Sequence, residues 1–168
     1  KKMVEIPAVA NPKKSNLMWE MRLRDEYLAK FHEGNVIIRN VRLGTIPGGP
    51  WVSQLEYNRQ RILGVFRRYA DVLIIKPDSI VLQEYALLPD PGDITKLELY
   101  AELFPRTIEF EQYKNYLVKM QLVGAIKDPV VQILAARRDI EYILYEPAWL
   151  DDYLTTLMLR KRRAAATD

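Results

Sequence analysis

The sequence predicts a mainly α protein: an irregular bundle of about six to seven helices, an extended N-terminal arm, and at most one short two-stranded β pairing. Three observations point there. Apolar residues recur at helical spacing along most of the chain. Ser, Thr and Asp stand where helices would start, and Gly or Pro where they would stop. The breaks after residue 93 are short, as between antiparallel neighbouring helices.

Residues 1–14 (KKMVEIPAVANPKK) hold Pro7, Pro12 and four lysines with no period, and read as an arm that needs a partner surface. Ser15 or Asn16 caps a first helix whose stripe is Leu17, Met21, Leu28 and Phe31, and Gly34 ends it. Residues 35–43 are β-branched and predict one short strand, with Val72–Ile75 as an available partner. Gly44–Pro50 is a loop. Ser53-Gln-Leu-Glu56 is a capping box that opens a helix to about Ala70, with Leu55, Ile62, Phe66 and Tyr69 as its stripe. After the Lys76-Pro77 break, Ser79–Leu88 is read as a helix capped by Asp78 or Ser79.

The Pro89–Asp93 loop divides an N-terminal helical region, 15–88, from a C-terminal antiparallel helical bundle, 94–163, followed by a tail, 164–168. In the second region Asp93 caps Ile94–Phe104. Thr107 caps a helix carrying Phe110, Tyr113, Leu117 and Met120 and ending at Gly124. Asp128-Pro129 starts a helix with Val130, Ile133, Leu134, Ile140 and Leu144 on one side. Pro147 opens a last helix with Leu150, Leu154, Leu157 and Met158. The helix starts are unevenly spaced, which argues against a repeat solenoid.

Composition narrows the chemistry. A chain of 168 residues has the size of one domain. Seventeen aromatic residues and 49% hydrophobic content argue against disorder. With no cysteine and one histidine, this sequence has no thiol nucleophile, disulfide, Cys-ligated zinc or iron–sulfur cluster. Net charge is +3, a mild excess, and unevenly placed: residues 1–42 carry +4 and residues 84–111 carry −5. Such polarity suits docking between proteins better than coating a polyanion. No run of 18 uncharged apolar residues suggests a membrane span.

The candidate reactive groups have structural readings. His32, at the end of the first helix with no ligand-type residue at i+3 or i+4, reads as a cation favoured by the helix macrodipole. Gly44–Pro50 lacks the Lys-Ser or Lys-Thr of a phosphate loop. Asp151-Asp152 and Glu109/Glu111 are paired carboxylates, but neighbouring helix residues diverge by about 100°. Ser15, Ser53 and Ser79 read as helix caps, which leaves no serine triad. Arg67-Arg68, Arg137-Arg138 and Arg160–Arg163 are the basic pairs and cluster.

The function expected from this inventory is a non-catalytic accessory subunit of a large mitochondrial assembly, of respiratory-chain or ATP-synthase type, with no catalytic, cofactor or metal residue. The alternative is a mitochondrial ribosomal protein that contacts rRNA through its basic arm and Arg160–Arg163. A start at Lys1-Lys2-Met3 suggests a processed or trimmed end, and hence the organelle. The expected partners are other protein subunits, with rRNA or anionic lipid head groups at the basic tail. Trp19, Trp51, Tyr57, Trp149, Arg160, Lys161, Arg162 and Arg163 are the expected partner-binding residues, being aromatic or basic side chains off the clean apolar stripes. An enzyme would have to draw on carboxylates, tyrosines or His32.

Overall fold

The computed structural model describes residues 12–45 and 67–165. In chain order they form α1 (Pro12–Phe31), β1 (Val36–Leu43), β2 (Arg68–Ile75), β3 (Ser79–Ala86) and α2 (Pro91–Leu103). Two 3-10 turns follow, Phe104–Arg106 and Ile108–Tyr113, then β4 (Leu117–Gly124), α3 (Pro129–Ala136), β5 (Ile140–Leu144) and α4 (Leu150–Ala165). The strands make one mixed sheet in the order β1-β2-β3-β4-β5. β2 is antiparallel to both of its neighbours, β1 and β3; β4 and β5 continue the sheet parallel to β3. A parallel pair needs a crossover, and α2 and α3 supply the two here.

The sheet is covered on both sides. One face packs Leu73, Ile80, Leu82, Leu122 and Ile140 against Ile94, Leu97, Tyr100 and Phe104 from the α2 side and Val131 and Ala135 of α3. The other packs Val72, Ile74, Val81 and Val123 against Leu23, Tyr27 and Leu28 of α1 and Trp149 and Tyr153 from the α4 side. Every residue of β3 is buried. A strand buried on both faces has no polar alternation to show, so Ile80-Val81-Leu82 reads as a continuous apolar run.

This α/β architecture overturns the expected helical bundle. Ser79–Leu88, read as a helix, is β3 followed by a loop. The helix expected from Thr107 to Gly124 is a 3-10 turn and then β4. The stripe drawn through Ile140 and Leu144 ends at Ala136, and those two residues lie in β5. The pairing of 35–43 with 72–75 exists, as one edge of five strands. In α1 the predicted stripe is rotated: Leu17, Met21 and Phe31 are exposed, while Leu23, Tyr27 and Leu28 face the sheet. That helix also starts at Pro12, ahead of the expected cap at Ser15 or Asn16. The Ser53–Glu56 capping box, with Leu55, Ile62 and Phe66, lies outside the described residues.

Candidate active site

The loop from β3 to α2 sets the site. Asp90, not Asp93, is the cap of α2: its carboxylate accepts from Gly92 N at 2.6 Å, and Pro91 occupies the first turn. Asp93 returns the bond, its Oδ2 accepting from Asp90 N at 2.9 Å. This capping box fixes the first turn of α2 and places Asp93 and Lys96 one turn apart. Lys96 Nζ then donates to Asp93 Oδ1 at 2.8 Å and to Glu84 Oε1 at 2.9 Å. Glu84 projects from β3 toward α2 with a side chain 6% exposed. Its second oxygen, Oε2, is buried and has no hydrogen-bond partner.

Asp71 comes from β2, one position beyond the Val72–Gln83 pair that joins β2 to β3. Side-chain alternation is broken there. Ile38 and Val41 of β1 lie on one face, as do Ala70 and Leu73 of β2. Asn40 sits between the Arg39–Val72 and Val41–Ala70 pairs with φ of 52°, a region Asn tolerates better than most residues. This irregularity lies directly across from Asp71. Backbone breaks of this kind re-aim side chains beside active sites. Asp71 Oδ2 accepts from Tyr85 N at 2.9 Å. From α1, Glu20 reaches the same end of the sheet, where the Leu87 backbone bonds its carboxylate.

The electrostatics are strained in one direction. Burial, then the Asp71 charge, push the Glu84 carboxyl up from 4.5 to about 7, although Lys96 pulls the other way. Burial also raises Asp71, against the Tyr85 N–H bond and the Lys96 and Arg24 charges. Glu20 is raised by burial and by Asp71 and Asp93. Burial opposes the Lys96 ammonium, but its bonds to Asp93 and Glu84 outweigh that and hold its pKa above that of an ordinary lysine. Four carboxylates therefore share one bonded ammonium. The raised carboxyls of Glu20, Asp71 and Glu84, gathered in one polar niche, make it a candidate functional site.

This donor set is all hard oxygen, carries excess negative charge and includes one orphaned buried oxygen, so it fits a divalent cation of the magnesium kind. Among the described residues no three His, Asp or Glu side chains make a ready metal cage. Mg²⁺ is commonly held by one or two carboxylates, with substrate phosphate and water completing the shell. Asp71 and Glu84 are the pair that would hold it. Asp93 already gives one oxygen to Lys96 and the other to its own helix start.

A second buried polar group lies on the opposite face. Tyr85 Oη donates to Gln83 Oε1 at 2.6 Å, Gln83 Nε2 to Gln121 Oε1 at 2.7 Å, and Gln121 Nε2 to Glu141 Oε2 at 2.6 Å. His32 Nε2 lies 3.3 Å from Gln83 Nε2 and must accept, since the amide can only donate. Burial and the Lys76 charge lower the His32 pKa. It is thus a neutral acceptor in a polar ladder and not the dipole-stabilised cation its sequence position suggests.

The sequence-predicted residues lie elsewhere. Trp149 is buried, stacks on Trp19 with ring centroids 4.9 Å apart, and donates its indole N–H to Glu26 at 2.8 Å. Arg22 lies over both rings. Trp51 and Tyr57 lie outside the described residues. Arg160, Lys161, Arg162 and Arg163 continue the backbone of α4, and their side chains lie outside the described residues. Of the paired carboxylates, Glu109 bonds Arg67, Glu111 bonds Lys114, and Asp151 and Asp152 begin α4. Of those that are described, the structure brings none to Asp71 and Glu84. The signal for the missed residues was an acid inside each of two apolar runs, Asp71 before VLII and Glu84 after IVLQ.

No protein-family model matches the chain, and no curated protein matches it. Among solved structures it is similar to the crystal structure of a repair endonuclease from Pyrococcus abyssi, at 19% identity with a TM-score of 0.39. The match covers 86% of this chain and 50% of that one, so this chain spans about half its length. The expectation of a non-catalytic accessory subunit is corrected at this point, together with its ribosomal alternative. That expectation rested on the lack of any cluster of reactive groups, and the structure gathers Asp71, Glu84 and Asp93 with Lys96 in one buried polar niche. Nothing found supports the respiratory-chain or ATP-synthase assignment.

Proposed function

We propose that the chain is a divalent-cation-dependent hydrolase of phosphodiester bonds in nucleic acid, acting at the end of the sheet where β3 runs into α2. The observation that carries this reading is the buried Oε2 of Glu84, without a hydrogen-bond partner among the described residues, on a carboxylate that feels the Asp71 charge and is tied through Oε1 to Lys96. The place agrees with the chemistry. Ligands of open α/β sheets bind outside the carboxyl ends of the parallel strands, and Glu84 lies two residues before the end of β3.

Asp71 and Glu84 would hold a divalent cation, which would supply Lewis-acid stabilisation of phosphoryl oxygens and a more acidic water. Lys96, held protonated, offers its charge to the same oxygens as negative charge builds on them. Glu20, with its raised pKa, accepts the proton of the attacking water. The new P–O bond forms from that water, the P–O bond to the sugar oxygen breaks, and the departing oxygen takes a proton from solvent. Asp93 keeps Lys96 in place, and Tyr85 N–H keeps Asp71 in place. A polymeric anion is favoured over a small phosphate ester because basic side chains flank the acids: Arg24 lies near Asp71, and Arg67 and Arg68 precede it in the chain.

Calorimetric titration with Mg²⁺ and with Mn²⁺ tests the reading. Wild-type protein is expected to bind one of them with heat that disappears in Asp71→Asn and in Glu84→Gln. Equal binding by the wild type and both variants would place the ion elsewhere and remove the reading's support.

A further inference from the structure

Arg67, immediately before β2, is 8% exposed in its side chain. Its guanidinium is oriented by two groups: Nη2 donates to Glu109 Oε2 at 3.1 Å and to the Arg42 carbonyl at 3.3 Å. Its Nε–H is buried and has no acceptor among the described residues. An unsatisfied buried donor costs about 1–3 kcal/mol, so an oriented arginine that leaves one donor unused points to an acceptor that arrives from outside. Arg67 lines a cleft of about 270 Å³ shared with Thr45, the exposed Arg68, and Leu99 and Leu103 of α2. Cationic donors on one side and leucines on the other suit a phosphate with its attached sugar.

The distance from the acidic cluster follows from the elements. Arg68 and Asp71 are three residues apart on β2, about 10 Å at strand spacing. Lys96 and Leu103 are seven residues apart on α2, again about 10 Å at helix rise. Leu99 is one turn from Lys96. Both elements therefore run from the acids to the cleft over the same length. Successive phosphates of a duplex strand advance about 3.4 Å along the axis while also winding around it, so a cleft about 10 Å away meets a phosphate about one or two positions along the strand.

We infer that this cleft holds a backbone phosphate of the nucleic-acid strand about one or two nucleotides from the bond that is cut, bound by Arg67 and Arg68. The inference rests on the nuclease reading and adds to it a fixed reading frame on one side of the cut. Glu109, held below the usual carboxylate range chiefly by its bond to Arg67, stays ionised and orients that guanidinium. Arg68 supplies the charge that Glu109 does not neutralise.

The test is binding of a short fluorescent DNA duplex to the full chain in EDTA over a salt series, read by anisotropy. Arg68→Ala, and separately the pair Arg67→Ala with Glu109→Ala, are compared with wild type and with Arg138→Ala. Arg138 bonds the exposed Glu98 and lines no part of this cleft. Both cleft variants are expected to weaken binding about tenfold, and Arg68→Ala also to lower the slope of log K against log salt by about one, the mark of a lost phosphate contact, while the paired variant, which removes one charge of each sign, keeps its slope. Arg138→Ala is expected to keep the wild-type slope. Circular dichroism melts check folding, and Arg68→Ala carries the test if the paired variant does not fold. Wild-type binding with an unchanged slope in Arg68→Ala and unchanged affinity in any folded paired variant overturns the subsite alone. No binding by wild type at any salt overturns both the subsite and the nuclease reading.

Discussion

Two buried polar groups flank β3, and they are built on opposite principles. The ladder of Tyr85, Gln83, Gln121 and Glu141 is complementary: each donor meets an acceptor, and His32 accepts what remains. The acidic cluster is not. Its carboxylates raise one another's pKa values, and Glu84 leaves an oxygen with no partner. A satisfied network holds a core in one arrangement. A frustrated one persists only where the fold supports it or where a ligand relieves it. The difference assigns structure to the first and chemistry to the second.

The sharpest way to separate them is by mutation. Glu84→Gln removes the frustrated charge, so activity should fall by at least about a hundredfold while the melting temperature stays level or rises. Single-turnover cleavage and a thermal melt on the same sample give both numbers. Gln83→Leu should do the reverse. It strands the Tyr85 hydroxyl, the Gln121 carbonyl and His32, at a cost of about 2–3 kcal/mol in urea denaturation. Cleavage per folded molecule should change less than about tenfold, since Glu84 and Asp71 keep their own contacts. Loss of activity without loss of stability in Gln83→Leu would erase the distinction.

The next effect is a pair of opposed pH slopes. Glu84 has its folded pKa raised from 4.5 to about 7. The folded state therefore holds its proton more tightly, and the stability so gained is full below about 4.5 and lost as pH rises through 7. Asp71 and Glu20 act in the same direction. His32 has its folded pKa lowered from 6.5. Its contribution is full above 6.5 and lost as pH falls through the folded value. Glu84→Gln should flatten the alkaline limb only, and His32→Gln the acid limb only. Mg²⁺ should raise the melting temperature more above pH 7 than below pH 5, because the cation competes with the proton on Glu84. The smallest effect belongs to the surface. Arg138→Ala breaks an exposed bond to Glu98 and should cost under about 1 kcal/mol.

Legibility in the sequence tracks the same division. Local signals were readable: Asp128 accepts from Val130 N and Val131 N just ahead of Pro129, as an N-cap beside proline should. What failed was the middle of the sheet. β3 is buried on both faces, so no alternation marks it, and the Leu117 and Met120 spacing of β4 imitates a helix turn. Once Ser79–Leu88 is taken for a helix, Glu84 becomes an ordinary helix acid and Asp71 an ordinary loop acid. The site is formed by β2, β3 and α2 meeting, and only long-range pairing creates it. A carboxylate inside an apolar strand was the available clue, visible only after the strand itself is assigned.

The most direct measurement is cleavage of an end-labelled DNA duplex by wild type and by Asp71→Asn, each with Mg²⁺, with Mn²⁺ and with EDTA. The account predicts cutting by the wild type with a divalent cation, none in EDTA, and a loss of at least about a hundredfold in Asp71→Asn at unchanged fold. Cutting that survives in Asp71→Asn, or a folded wild type that binds the cation and the duplex yet leaves it whole, would contradict it.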